Sequence, residues 1–234
     1  MLRPYSTHMS FGTLYIVSTP IGNADDISAR ALRVLAGADV VVCEELREGE
    51  RLLKRYGLQT ALVDLNEHNE QARTPELVAE LQAGKTLALI SDGGTPLFYD
   101  PGRLLVSEAY RIGAKVTAVP GASALMAALV LSALPIDQFH VAGMLPVKRE
   151  QRREALRALQ SEKVTCVLLD APYRLSAVLN DMLDVFGGER PVVVACDLTM
   201  PGEFVERGNL GDVVARFRQR PFKGEYVIVI GGNS

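Results

Sequence analysis

Five short apolar runs, each cut off by a polar or glycine-bearing bend, fill the first half of this chain. They are residues 13–19 (TLYIVST), 39–43 (DVVVC), 61–65 (ALVDL), 87–90 (LALI) and 115–119 (KVTAV). They lack the apolar–polar alternation of a strand with one wet face, and runs this short fit strands covered on both faces. Helical patterns lie between them. Asp25-Asp26-Ile27-Ser28 starts the first, with Ser28 or an Asp as N-cap and apolar spacing at Ala31, Leu32 and Leu35. Residues 49–56 predict a second helix, stopped by Gly57, and residues 75–82 a third, with Pro75 in its first turn. Residues 102–112 predict a fourth, closed by Gly113. This alternation predicts a parallel, doubly wound α/β sheet whose strands all end along one rim.

The second half changes character. Residues 122–132 form an apolar helix, residues 149–160 a charged one, and residues 175–186 a third that stops at Gly187-Gly188. Strands are expected at 139–144, 164–169 and 192–196. Residues 204–209 and 225–230 pattern as two more that can pair antiparallel. The expectation is a two-domain chain: residues 12–120 as the parallel unit and residues 121–234 as a mixed-sheet α/β unit.

Composition narrows the function. Net charge is −3, so no global field draws the chain to nucleic acid and any basic surface is local. The three cysteines, Cys43, Cys166 and Cys196, sit singly inside apolar runs. That spacing argues for buried thiols in a reducing compartment, hence a cytoplasmic location, and against a disulfide frame or a metal site. No run approaches the ~18 apolar residues of a membrane span, and no signal-peptide core opens the chain. Residues 1–10 (MLRPYSTHMS) read as disordered, with His8-Met9-Ser10 resembling a cloning remnant.

The loop after the fourth apolar run carries the strongest local signal: Ser91-Asp92-Gly93-Gly94-Thr95-Pro96, then Asp100-Pro101-Gly102. Two adjacent glycines let backbone approach a ligand closely. Asp92 can accept from hydroxyl or amine donors. In open α/β sheets ligands gather at the carboxyl ends of strands, where this loop lies. A plain strand-to-helix turn is the competing reading.

Lined up in order, the strand-end motifs resemble one family. Val17-Ser18-Thr19-Pro20-Ile21-Gly22-Asn23, Asp26-Ile27, Glu44-Glu45-Leu46-Arg47, His68-Asn69-Glu70, the Ser91–Pro96 and Asp100–Gly102 loops and Pro120-Gly121 follow the sequence of the tetrapyrrole methylase superfamily. The branch they most resemble methylates ribose 2′-oxygens of small-subunit ribosomal RNA. The resemblance runs from about Gly12 to Ile230. It implies an S-adenosylmethionine-dependent methyltransferase with two α/β domains, the cofactor in a cleft between them, and a homodimer. It also implies that the cofactor is held by Pro20, Ile21, Gly22 and Asn23, by Ser91, Asp92, Gly93, Gly94, Thr95 and Pro96, and by Pro120, Gly121, Ala122 and Ser123. Leu169, Asp170 and Ala171, with Lys223, Gly224 and Glu225, are the implied contacts from the second domain.

Departures from that pattern touch the substrate loops more than the cofactor loops. Glu45 and Leu46 stand where the ribosomal branch has Asp and Thr, and Asn66 replaces the first His of an H-x-H-N-E pattern. Gly93 replaces an Ala, and Asp170-Ala171-Pro172-Tyr173-Arg174 follows Y-E-S-x-H-R only loosely. The chain ends at Ser234, without the helical extension usual in that branch. A tetrapyrrole-like or other small acceptor, and a non-catalytic cofactor- or RNA-binding module, therefore stand as alternatives.

A ribose hydroxyl is a poor nucleophile and gains from a nearby base. Glu44, Glu45, Arg47, His68, Asn69 and Glu70 are the candidates on these strand-end loops; Glu44, Arg47 and His68 are the catalytic choices, Glu44 first because it directly follows a buried strand. An ion pair of Glu44 or Glu45 with Arg47 is the structural alternative. Lys148, Arg152 and Arg153 resemble the ribosomal L-P-x-K-x-x-x-R-R segment and are the candidate RNA contacts. A solvated helix laced by ion pairs four residues apart is the competing reading there.

Overall fold

The computed structural model describes residues 11–233, so the expectations for residues 1–10 lie outside the described residues. The chain divides into two compact units, the division falling between Ser123 and Ala124.

The first unit alternates strand and helix throughout: β1 (Thr13–Val17), α1 (Ala29–Gly37), β2 (Val40–Cys43), α2 (Leu46–Arg55), β3 (Ala61–Asp64), α3 (Glu70–Gln82), β4 (Leu87–Ile90), α4 (Arg103–Ile112) and β5 (Lys115–Val119). The sheet is wholly parallel, in the order β3-β2-β4-β1-β5. Each face carries its own apolar layer. Leu14, Val42, Leu87 and Leu89 pack with Leu77, Leu81, Leu105 and Ala109 of α3 and α4. Val17, Val41, Ala88 and Ile90 pack with Ala31, Leu35 and Leu53 of α1 and α2. Apolar side chains thus point both ways from the same strands, which is why the runs show no alternation. Each fully buried Leu or Val stabilises by roughly 2 kcal/mol.

Two helices begin earlier than the sequence predicts. Helix α2 starts at Leu46, because its cap, Glu45, uses no side-chain bond that would mark it. Helix α3 starts at Glu70, so Pro75 lies inside it rather than in its first turn. Arg73, bonded to Asp64 at 3.1 Å and to Glu76 at 2.9 Å, fastens the early turns to β3. Ser28 caps α1 as expected, accepting from Ala31 N at 3.0 Å.

The second unit comprises α5 (Ala124–Ser132), β6 (Phe139–Gly143), α6 (Arg149–Ala158), β7 (Thr165–Leu169), α7 (Leu175–Phe186), β8 (Pro191–Cys196), β9 (Phe204–Asn209), α8 (Leu210–Gln219) and β10 (Tyr226–Ile230). Its sheet runs β6-β7-β10-β8-β9, parallel only between β6 and β7. Strands β9 and β10 do not pair with each other; β8 lies between them and pairs antiparallel with both. A pairing that skips elements leaves no local trace in sequence. Helices α6, α7 and α8 cover the sheet through Leu156, Leu179, Met182, Val213 and Phe217. All three cysteines are free and buried, and burial pushes the thiols of Cys43 and Cys196 up to about 12.

Candidate functional site

Strands β1 and β4 are neighbours, yet the chain leaves them for opposite faces, toward α1 and α4. Loops that part in this way open a ligand-receiving edge at the carboxyl ends of the strands. Here the parting loops are tied together at their roots. Thr19 N donates to Gly94 O at 2.9 Å and Gly94 N returns the bond to Thr19 O at 3.1 Å. Thr19 Oγ1 donates to Ser91 O at 3.0 Å. Thr95 Oγ1 donates to Ala122 O at 3.2 Å and lies 3.0 Å from Ser18 Oγ. A hydroxyl has one proton to give, so Ser18 donates to Thr95. A Cβ on Gly121 would stand 3.0 Å from Ser18 Cβ, so that approach is tight for any residue larger than glycine. The loops holding Pro20 to Asn23, Ser91 to Pro96 and Pro120 to Ser123 therefore form one frame.

The two central glycines have different roles. Gly94 has φ +92°, and a Cβ there would meet Ile21 Cγ2 at 3.2 Å. Gly93 has no such constraint: a Cβ would meet only Pro20 O, at 3.7 Å, leaving open space beside the backbone. Asn23 caps the short turn Ala24–Asp26, its Oδ1 accepting from Asp25 N at 3.0 Å.

Carboxylates gather on this rim. Glu44 follows β2, and its carboxyl is held above the ordinary range by burial and by the charges of Asp100 and Asp92. Burial also raises Asp92, opposed by a hydrogen bond from the Glu45 backbone N–H. Asp100 is raised by burial and lowered by the Ser91 hydroxyl that donates to it. Like charges in a partly dry setting favour cations and hydroxyl or amine donors over phosphate. That donor set fits S-adenosylmethionine, whose sulfonium and amine are cationic.

The three catalytic candidates occupy neighbouring strand ends but different surroundings. Glu44 is half-buried, while Arg47 is exposed on the first turn of α2. The ion pair seen on that helix joins Glu48 to Arg51. The His68 side chain is 86% exposed, with Nε2 3.5 Å from Glu67 Oε1. The two residues after it are architectural. Asn69 donates to Asp64 at 2.7 Å and accepts from Asn66 N at 2.8 Å. Glu70 Oε1 accepts from Gly102 N and Leu104 N, each at 2.9 Å. That cap escaped the sequence reading. Its signal was the missing cap at the start of α4: Gly102 offers no side-chain acceptor, so a distant one has to serve.

In the second unit, β7 and β10 are antiparallel neighbours, with Leu169 opposite Val227. That register sets Leu169, Asp170 and Ala171 beside Glu225, with Gly224 and Lys223 just before it. Asp170 is buried and pairs with Arg174 at 2.9 Å, its Oδ1 also accepting from Ala171 N at 2.7 Å. Among the described residues, its Oδ2 and the buried Tyr226 Oη have no protein hydrogen-bond partner. Gly224 is closely packed: a Cβ would lie 2.4 Å from Asp197 Oδ1, so the Asp197 side chain would have to move.

The basic segment divides. Lys148 is exposed at the start of α6. Arg152 is only 6% exposed, with Nε 2.8 Å and Nη2 2.6 Å from Asp181 Oδ2 and Nη1 2.8 Å from Val147 O. All three nitrogens face inward, so the expected RNA contact is not open to it. Arg174 makes a second grip on the same loop, donating to Leu145 O at 2.8 Å and Pro146 O at 2.7 Å. Arg153 pairs with Asp184 at 3.2 Å. Charge on α6 read as surface because Asp181 lies on a different helix.

Residues 13–214 match the family Tetrapyrrole (Corrin/Porphyrin) Methylases. The chain belongs to that family. Within it, the chain groups with proteins named ribosomal RNA small subunit methyltransferase I. The one from Pseudomonas aeruginosa is 45% identical over 227 residues, covering 96% of this chain and 80% of that protein. The one from Halalkalibacterium halodurans is 40% identical over 231 residues, covering 99% of this chain and 80% of that protein. The fold is similar to that of a uroporphyrin-III C-methyl transferase from Thermus thermophilus, solved with S-adenyl homocysteine (TM-score 0.64, 20% identity, 94% of this chain and 97% of that one). As a member of this methylase family, the chain is an S-adenosylmethionine-dependent methyltransferase.

Proposed function

We propose that this chain methylates the 2′-hydroxyl of a ribose in small-subunit ribosomal RNA. One observation carries the reading: a carboxylate rim stands at the switch point of a parallel sheet in a chain 45% identical to a ribosomal RNA methyltransferase. The small-acceptor and non-catalytic alternatives are not favoured, since relatives at 39–45% identity over most of the chain share that name.

Bound S-adenosylmethionine supplies an activated methyl group for an oxygen nucleophile. Pro20, Gly22, Asn23, Ser91 to Pro96 and Pro120 to Ser123 hold it, with the backbone of Gly93, Gly94 and Thr95 meeting its methionine end. Leu169 to Ala171 and Lys223 to Glu225 are the second unit's candidate contacts. Glu44 takes the proton from the ribose hydroxyl, a task its raised pKa suits. Much of the rate comes from positioning. Arg47 and His68 meet the incoming nucleotide from the exposed loops, and Lys148 is the second unit's candidate phosphate contact. The chain works as a cytoplasmic homodimer. The dimer rests on the family resemblance and the compartment on the buried free thiols. Among the described residues no helix is long and apolar enough to cross a membrane.

The test is transfer of labelled methyl from S-adenosylmethionine to small ribosomal subunits from cells lacking this chain, with ribose methylation mapped before and after. One ribose should gain the label. An unchanged map with intact cofactor binding overturns the substrate and leaves the cofactor.

A further inference from the structure

Leu97-Phe98-Tyr99 is a run of three large side chains in the loop between β4 and α4, and only the first is used by the core. Leu97 joins the apolar layer that includes Leu89. Phe98 and Tyr99 remain 41% and 56% exposed. Their rings form an edge-to-face pair with centroids 5.0 Å apart and planes at 79°. The backbone beneath them is strained: Leu97 has φ +71° and Tyr99 φ +70°, a region that side-chain-bearing residues rarely enter. Such strain persists only where the surroundings impose it, and it collects at ligand clamps.

Here the restraints are visible. The Thr19–Gly94 bridge fixes the near end of the loop, and Glu70 fixes the far end by accepting from Gly102 and Leu104. A loop pinned at both ends and strained in the middle holds two rings out in water, where they add little to stability. The next residue is Asp100, whose charge acts on Glu44 and Asp92. The negative rim repels phosphate but accepts the hydroxyl and amine edges of a nucleoside. Aromatic rings, in turn, stack on bases that have left a helix.

We propose that Phe98 and Tyr99 are a stacking platform for an unpaired RNA base and so deliver the neighbouring ribose to the Glu44 rim. This rests on the ribosomal RNA reading given above. The occupant is RNA rather than the adenine of the cofactor, so cofactor affinity is the internal control.

Three variants test it: Phe98→Ala, Tyr99→Gly and Tyr99→Phe. Tyr99→Gly removes the ring where glycine suits the backbone, so loss of function is not loss of fold. Binding of small ribosomal subunits from cells lacking this chain is measured beside calorimetry with S-adenosylmethionine. Phe98→Ala and Tyr99→Gly should each weaken RNA binding by about tenfold and leave cofactor affinity within about twofold. Tyr99→Phe should restore RNA binding. Unchanged RNA binding overturns the platform, as does an equal loss of cofactor affinity or a change of oligomeric state in the variants. If the wild-type chain itself binds cofactor but no RNA, the substrate reading fails first and the platform with it.

Discussion

Thr19 and Gly94 hold each other through a reciprocal pair of backbone hydrogen bonds, 2.9 and 3.1 Å long. The bridge joins the ends of two adjacent strands whose following helices lie on opposite faces, so the loops at the rim have a common anchor. With Ser18, Thr95 and Ala122 bonded alongside, hydrogen bonds within the protein tie these loops together at their roots.

That arrangement separates the two glycines in an experiment. Gly94→Ala puts a Cβ at φ +92° and 3.2 Å from Ile21. It should cost about 1–2 kcal/mol of stability and about tenfold in cofactor affinity. Gly93→Ala meets nothing closer than 3.7 Å and should change stability by less than about 0.5 kcal/mol. Thermal melts and calorimetry decide. Equal penalties at both sites would contradict the frame.

Glu70 anchors the far end of the loop between β4 and α4 from another element. Glu70→Ala deprives Gly102 and Leu104 of their acceptor, and should cost about 1–2 kcal/mol, as other lost helix caps do. Glu70→Gln keeps an acceptor and should cost less. Hydrogen exchange at the Gly102 and Leu104 amides reports the effect directly, and protection that survives in Glu70→Ala would refute the assignment.

The pair formed by Arg152 and Asp181 is an internal fastening. Arg152→Met leaves a buried carboxylate that Arg149, 3.0 Å away, compensates only in part. The expected loss is about 3 kcal/mol by denaturant titration, and Arg152→Met/Asp181→Leu should regain much of it. A single variant that stays fully stable yet binds RNA poorly would restore the surface role expected from sequence.

Glu44 gives a pH signature. Its folded-state pKa lies above 4.5, raised first by burial and then by Asp100 and Asp92. Between the two pKa values the folded state binds more protons than the unfolded state, so stability falls as pH rises through that window. Glu44→Gln should flatten that fall. Methyl transfer should do the opposite in the wild-type chain, climbing with pH as the Glu44 carboxyl ionises, and should be lost in Glu44→Gln. A wild-type profile flat from pH 5 to pH 8 would be silent on Glu44, so the decisive comparison is kcat: activity retained in the variant removes Glu44 as the base.

The parallel half was legible because its evidence is local. Runs such as Val40–Cys43 and Leu87–Ile90 are apolar on both sides, and each ends at the rim. Ser28 announced its helix through a side chain that bonds three residues on. What escaped depends on partners far along the chain. Glu70 reaches a helix start 32 residues away, Arg152 meets Asp181 across 29, and β8 slips between β9 and β10. The exposed rings of Phe98 and Tyr99 had no mark in the sequence, since sequence alone does not show a positive φ.

Strand β4 is the central strand of its sheet and all four of its residues are buried, Leu87 and Leu89 in one apolar layer and Ala88 and Ile90 in the other. Neither face can loosen without prising apart a whole helical layer, so this strand should be the last of its unit to let go on heating. The loop that bears Asp92, the ring pair and Asp100 grows from it like a bracket from a load-carrying post. Catalytic wear and tear, whether a substitution, a nick or an oxidised side chain in the loop, should therefore spoil turnover long before it threatens the body of the protein.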